Sequence, residues 1–310
     1  MSESWSQNLY LYNSKFTEFV IQEARRIKQR KGEECTHEDF HYLDTLHCKG
    51  LFGVKKFLET YCFNTKAKAI DLGCGIGGNS RYLAATKQCQ VYSVDYLDNY
   101  IECAEELTSL CSLSELIEYK RGDLRSQILP ENQFDFGLCV AVFMYIPDGI
   151  EAFRNIFKAL KPGGVLYWED YYLLKEREDC TSEELQLMQD YPMPGVRTKN
   201  TLLKEMSEVG FEVVEWNEYG KDWSEYVWDK AERLFQTKVN NDTDEPLDGM
   251  THSCAYLKPR IVRDLDHFSP EEVKTNWPNV DKELNAENLV FCTPKFMSAS
   301  RVVFKKPLIS

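Results

Sequence analysis

An apolar run, a glycine-rich turn and a helical pattern follow one another between Ala67 and Ala85, and that succession leaves few folds open. Ala67 to Leu72 reads as a short strand, and Gly73-Cys74-Gly75-Ile76-Gly77-Gly78 as a sharp turn. Asn79 to Ala85 begins a helix whose unpaired N–H groups face that turn. Glycines suit the turn because the chain must take positive φ there, and because a Cβ would hold a ligand off the main chain. Such a unit cradles a nucleotide-like ligand against backbone. Gly73, Gly75 and Gly78 satisfy G-x-G-x-x-G, and Asp95 closes a second apolar run roughly 20 residues on, as a dinucleotide fingerprint requires. The glycines alone leave the ligand open.

Asp71 narrows the choice. It stands two residues before the first glycine, where a dinucleotide-binding strand keeps an apolar residue. A carboxylate there suits a ligand with positive charge: S-adenosylmethionine carries an ammonium and a sulfonium, whereas NAD brings a pyrophosphate that an acid repels. The run D-x-G-C-G-x-G-G, Asp71 to Gly78, resembles motif I of the class I methyltransferases. The resemblance implies S-adenosyl-L-methionine as cofactor, with Asp71, Gly73, Cys74, Gly75 and Gly77 in its cradle.

From residue 66 strands alternate with helices, which predicts a doubly wound, mostly parallel sheet in an α/β fold. Gln90 to Asp95 is the second strand, Asn99 to Leu110 a helix and Leu116 to Arg121 the third strand. Phe134 to Cys139 is the fourth, Val165 to Tyr171 the fifth, Phe211 to Trp216 the sixth and Ser300 to Lys305 the seventh. Asp95 ends its strand where a carboxylate, an acceptor only, can take both hydroxyls of a ribose. Motif I, Asp95, Gly122-Asp123, the Phe134-Asp135 strand and Leu160-Lys161-Pro162-Gly163-Gly164 match the class I order over residues 66 to 172. That resemblance implies that Asp123 takes the adenine amino group and that the Leu124 N–H donates to the ring. Tyr96 and Val140, beside these landmarks, join the expected cofactor contacts, as does Tyr42, from a pre-motif aromatic stretch that covers the cofactor in such enzymes.

Four segments follow: an N-terminal helical cover (1–64), the cofactor-binding core (65–217), a substrate cap inserted before the last strand (218–298) and the final strand (299–310). Phe16, Phe19, Val20 and Ala24 have the spacing of an amphipathic helix, packed on the domain or serving as a lid. Thr36 with Asp39 forms a capping-box pattern near His37, and a helix is expected from Leu46 to Thr60.

A net charge of −13 argues against a general nucleic-acid binder, whose affinity needs clustered Lys and Arg. Eleven cysteines without a C-x-x-C pair suggest reduced thiols in a cytoplasmic protein, and the histidines have no metal-like spacing. The longest apolar run, Phe136 to Ile146, is too short to span a bilayer. The layout is most similar to the enzymes that methylate phosphoethanolamine, sarcosine, tocopherols and sterols, with Asp170-Tyr171 matching a D-Y pair after strand five. It departs from the phosphobase enzymes, which carry an Arg-Asp pair and a His after strand four where this chain has Val140, Ala141 and Tyr145.

Methyl transfer is an in-line displacement, so the protein chiefly aligns nucleophile, methyl and sulfur. Tyr145, Asp170 and Tyr171 are the candidate catalytic residues, with Glu169 beside them. Glu169 and Asp170 could balance a cationic amine, and Tyr219, Trp223, Tyr226 and Trp228 could box an ammonium. The acceptor is therefore expected to be a small molecule with an amine nitrogen. Oxygen, sulfur or carbon acceptors, and a cofactor-binding protein without catalysis, are the alternatives.

Overall fold

The computed structural model describes residues 3–44, 50–126, 129–182, 184–185, 188, 193–220 and 296–308, with side chains from residue 16 onward. Helix α1 (Glu3–Lys31) and the short α2 (His41–Asp44) precede α3 (Phe52–Tyr61). Strand β1 (Lys68–Leu72) then leads through α4 (Gly78–Lys87) to β2 (Gln90–Asp95), and α5 (Asp98–Leu110) to β3 (Ile117–Arg121). Next come β4 (Phe134–Val140), α6 (Ile150–Ala159), β5 (Leu160–Leu173), β6 (Arg197–Thr198) and α7 (Lys199–Val209). Strands β7 (Glu212–Glu218) and β8 (Met297–Lys305) complete the sheet.

The strands lie in the order β3-β2-β1-β4-β5-β8-β7, with β6 against the end of β5. β1 to β5 pair in parallel, while β8 runs antiparallel between β5 and β7. The sheet thus has eight strands rather than the expected seven. The addition is the two-residue β6, beside Tyr172 and Leu173, where β5 outruns β4.

Alternation along the strands sends side chains to two cores. Ile70, Leu72, Leu166, Trp168 and Phe304 meet Phe153 and Ile156 of α6 and Met206 of α7. Ala69, Phe136, Leu138, Tyr167 and Val303 meet Val54, Phe57 and Leu58 of α3 and Leu83 of α4. A third cluster joins Phe16, Val20, Ala24 and Ile27 of α1 and Leu43 of α2 to Cys103 and Leu107 of α5 and to Ile76 of the glycine turn. The predicted N-terminal helix is therefore packed on the domain, with Phe19 left 41% exposed.

Two boundaries differ from expectation by five residues or more. β5 starts at Leu160, because the Pro162-Gly163-Gly164 stretch is absorbed as an irregularity in the β4–β5 register and paired through Gly163 N to Lys306 O at 2.9 Å. The helix expected from Leu46 begins at Phe52, and residues 45–49 lie outside the described ones. Most of the expected cap also falls outside them. Among the described residues, no helix is long and apolar enough to cross a membrane.

Candidate active site

The turn after β1 is built by positive φ at Gly73 (+70°), Gly75 (+55°) and Gly77 (+82°). Gly73 N and Cys74 N both donate to Val94 O, at 2.8 and 3.0 Å, which ties the turn to β2. The glycines also make room for protein. A Cβ on Gly73 would stand 2.4 Å from Val142 Cγ2, and one on Gly77 would stand 2.4 Å from the Tyr119 hydroxyl. At those two positions the missing side chain admits neighbouring strands and loops, in addition to the ligand approach expected from the sequence.

Asp71 ends up inside this construction. It is 1% exposed, and its Oδ2 accepts from Ser80 Oγ at 2.6 Å, with Ser93 Oγ 2.9 Å beyond. Burial, opposed by Ser80 and reinforced by the Asp95 charge, pushes its carboxyl up to about 7. Asp95 accepts from Gly75 N at 2.9 Å through one oxygen and from Leu97 N at 3.0 Å through the other. It too is raised by burial, although backbone donors oppose the shift. Two carboxylates, neither in a salt bridge among the described residues, thus frame the glycine turn.

The remaining expected cofactor residues are spread more widely. Tyr96 is 41% exposed, while Cys74, Leu124 and Val140 are buried. Asp123 is held below the usual carboxylate range by Arg125, whose Nε and Nη2 donate at 3.0 and 2.5 Å and whose backbone N donates at 2.9 Å. An adenine amino group would have to share that carboxylate with a guanidinium. Tyr42 lies on the cover with its hydroxyl 3.4 Å from Glu23 of α1.

The loop after β4 engages Asp170 with backbone donors. Its Oδ2 collects Val142 N, Phe143 N and Met144 N at 3.2, 2.7 and 3.2 Å, and Oδ1 takes Tyr171 N at 2.8 Å. A carboxylate 4% exposed and bound to four backbone donors has little left for a substrate. It is a positioning residue for the 142–145 turn, which the left-handed Ala141 (φ +57°) bends out of the strand. Burial raises Asp170 to about 6 in spite of those donors. The turn presents Tyr145, 37% exposed, and seats Val142 on Gly73. Tyr171 is half-buried beside Met144 and Leu173.

Glu169 is likewise committed. Its Oε2 accepts from the Tyr167 hydroxyl at 2.6 Å and from Arg301 Nε at 3.0 Å. The Arg301 guanidinium lies 4.2 Å over the Tyr219 ring and 5.4 Å over Phe52. Tyr219, one wall of the expected ammonium box, therefore already carries a protein cation. Trp223, Tyr226 and Trp228 lie outside the described residues.

Sequence reasoning missed Ser80, Arg81, Val142 and Tyr100. Tyr100 on α5 is held above the usual phenol range, first by burial and then by Asp95 and Tyr145. Ser80 and Arg81 stand one residue past the last glycine, after Asn79, and are buried in the first turn of α4.

A family model described as "Methyltransferase domain" matches residues 70–168. Phosphoethanolamine N-methyltransferase 1 of Arabidopsis thaliana is 30% identical over 156 residues, 50% of this chain and 31% of that protein. The sterol 24-C-methyltransferase of Yarrowia lipolytica is 22% identical over 165 residues, 52% of this chain and 43% of that one. The chain spans less than half the length of these curated relatives. Among solved structures, Haemonchus contortus phosphoethanolamine N-methyltransferase 2 in complex with S-adenosyl-L-methionine superposes with a TM-score of 0.63 at 17% identity, covering 91% of this chain and 60% of that one. A putative sarcosine dimethylglycine methyltransferase from Galdieria sulphuraria gives 0.60 at 18% identity, covering 83% of this chain and 84% of that one. With its parallel strands and antiparallel β8 the chain shares the fold of these solved structures, and residues 70–168, which include the glycine turn, match the methyltransferase family model.

Proposed function

We propose that the chain binds S-adenosylmethionine on the glycine turn and transfers its methyl group to a small-molecule acceptor. The observation that carries this reading is the pair Asp71 and Asp95, two carboxylates raised by burial at the carboxyl ends of adjacent parallel strands. A cationic ligand offsets that cost, whereas a pyrophosphate adds to it. The donor set fits the group: Asp95 can accept a ribose diol, and the turn exposes backbone at Gly75. When bound, the cofactor supplies an electrophilic methyl on a sulfonium.

The protein's own part is alignment and exclusion of water. Asp170 holds the 142–145 turn, which places Tyr145 at the end of β4, and Val142 locks that turn onto Gly73. Tyr145 serves to orient the acceptor or wall its site, and Tyr171 lies on the strand beside it. Since Asp170 and Glu169 are both engaged by protein donors, neither acts as a base in this arrangement. That favours an acceptor that arrives with a free lone pair, and supports an amine nitrogen over a hydroxyl or thiol that must first lose a proton. The same engagement withdraws the acidic charge that suggested an ammonium box, so the nitrogen preference rests on base-free chemistry and on the phosphoethanolamine relatives. Carbon acceptors, as in the sterol relatives, are the competing class.

Calorimetry with S-adenosylmethionine and S-adenosylhomocysteine, followed by transfer of labelled methyl to amine, sterol, hydroxyl and thiol panels, tests the proposal. Binding of both with turnover of an amine is expected. Failure to bind either overturns the cofactor assignment, and binding without turnover of any panel favours a cofactor-binding protein without catalysis.

A further inference from the structure

The largest fully buried side chain near the turn is not apolar. Arg81 of α4 is 0% exposed, and its guanidinium reaches three parts of the chain. Nη2 donates to Asp44 Oδ2 of α2 at 2.8 Å, and Nη1 donates to Ile76 O in the glycine turn at 2.8 Å. Nη1 also lies 3.4 Å from Ala104 O and 3.5 Å from Thr108 Oγ1 of α5. The N-terminal cover, the turn and the helix after Asp95 thus share one charge.

Gly78 belongs to the same arrangement. It is the last glycine of the motif, yet its φ is not positive, so no backbone strain calls for glycine there. An added Cβ would stand 2.9 Å from Asp44 Cγ and 3.1 Å from Oδ1. What the missing side chain admits is the cover's carboxylate. The apolar contacts agree, since Ile76 packs in one cluster with Phe40 and Leu43 of the cover and Leu107 of α5.

We propose that Asp44, Arg81 and Gly78 form a latch through which docking of the N-terminal cover sets the shape of the glycine turn and of the ligand site it frames. Arg81 is a positioning residue, acting through Ile76 O on the one side and Asp44 on the other. A buried guanidinium that loses its carboxylate must find new partners or open a path for water, and either response shifts the Ile76 carbonyl. The latch rests on the cofactor reading only for its functional consequence; the coupling between cover and turn stands apart from it.

Two variants break the latch in different ways. Asp44→Asn removes the charge at constant shape, while Gly78→Ala keeps both charges and pushes the carboxylate aside. Amide hydrogen exchange is read in the full chain for residues 37–44, 74–78 and, as a remote reference, β7 and β8. Each variant is expected to speed exchange in the cover and the turn together and to leave the reference strands unchanged. Affinity for S-adenosylhomocysteine is expected to fall about tenfold in each, within the usual range of coupling between sites. The double variant should fall little further, because both changes act on one contact. Faster exchange in the cover alone, with the turn unchanged, overturns the proposal whether or not the ligand binds. If wild type fails to bind S-adenosylhomocysteine, the cofactor reading fails, and the exchange result alone decides the latch. Should Asp44→Asn unfold, with the reference strands exchanging too, Gly78→Ala decides in the same way.

Discussion

Replacing Asp71 by Asn should make the ligand-free protein more stable while weakening its hold on a cationic ligand. The carboxyl is pushed from 3.8 up to about 7 by burial, so keeping it ionised in the folded chain costs about 4 kcal/mol relative to the unfolded one. Asn keeps an acceptor for the Ser80 hydroxyl, now 2.6 Å from Asp71, and the extra strength of the bond to the ionised carboxylate is already contained in that shift. The net gain is about 4 kcal/mol at about pH 8, or roughly 6 °C in Tm. The sign follows from proton linkage. A folded value above the unfolded one means that the folded chain binds the extra proton, so the stability this group contributes is fully present below 3.8 and is lost as pH rises through about 7. The advantage of Asn should therefore grow by about 1.4 kcal/mol per pH unit between about pH 4 and about pH 7, then level off. Urea unfolding of both proteins at about pH 5, 6, 7 and 8 measures this difference directly. A difference that does not change with pH, or an Asn variant less stable than wild type at about pH 8, refutes the argument that Asp71 is held as a costly buried anion.

Three further outcomes are expected. Asp170→Ala orphans the buried Phe143 and Met144 donors and should lower stability by about 2 to 4 kcal/mol, with faster amide exchange at 142–144, while the glycine turn responds only through Val142. Gly73→Ala places an L-residue at φ +70° against Val142 and should reduce S-adenosylhomocysteine affinity at least tenfold, or about 1.4 kcal/mol; adding Val142→Ala should recover part of it, as calorimetry would show. Lys306→Met removes bonds to Leu160 O at 2.7 Å and Phe157 O at 2.9 Å from the end of α6 and should lower stability by about 2 kcal/mol without altering ligand affinity.

The order of strands, the glycine turn and the acids at strand ends were legible because each leaves a local mark: an apolar run, a required φ, a carboxylate at a fixed offset. β2 matches its expected bounds from Gln90 to Asp95, and α5 and β3 match to within a residue. Contacts that span the chain leave no such mark. Nothing near Glu169 in sequence announces Arg301, 132 residues on, yet that pairing decides whether Glu169 can meet a substrate. β6 escaped notice because two residues are too few for a period. Gly78 was read with the other glycines as making way for a ligand, whereas its space is taken by Asp44, a contact only the folded cover reveals.

Asp95 shows how the same carboxylate can serve loop and ligand, and how to separate the two. Its oxygens each take one backbone donor, Gly75 N and Leu97 N, so it shapes the turn before any ribose is present. An Asn there offers one acceptor and one donor. It can keep Gly75 N or Leu97 N, and it faces the other with an N–H. If Asp95 acted on the ligand alone, Asp95→Asn would leave amide exchange in the free protein unchanged and lower only the affinity. The geometry predicts instead that one of the two amides, 75 or 97, exchanges about tenfold faster in the free protein, which corresponds to about 1.4 kcal/mol of lost local protection. An affinity loss larger than that local penalty measures what the carboxylate contributes to the diol itself, and an equal loss assigns the whole effect to the shape of the turn.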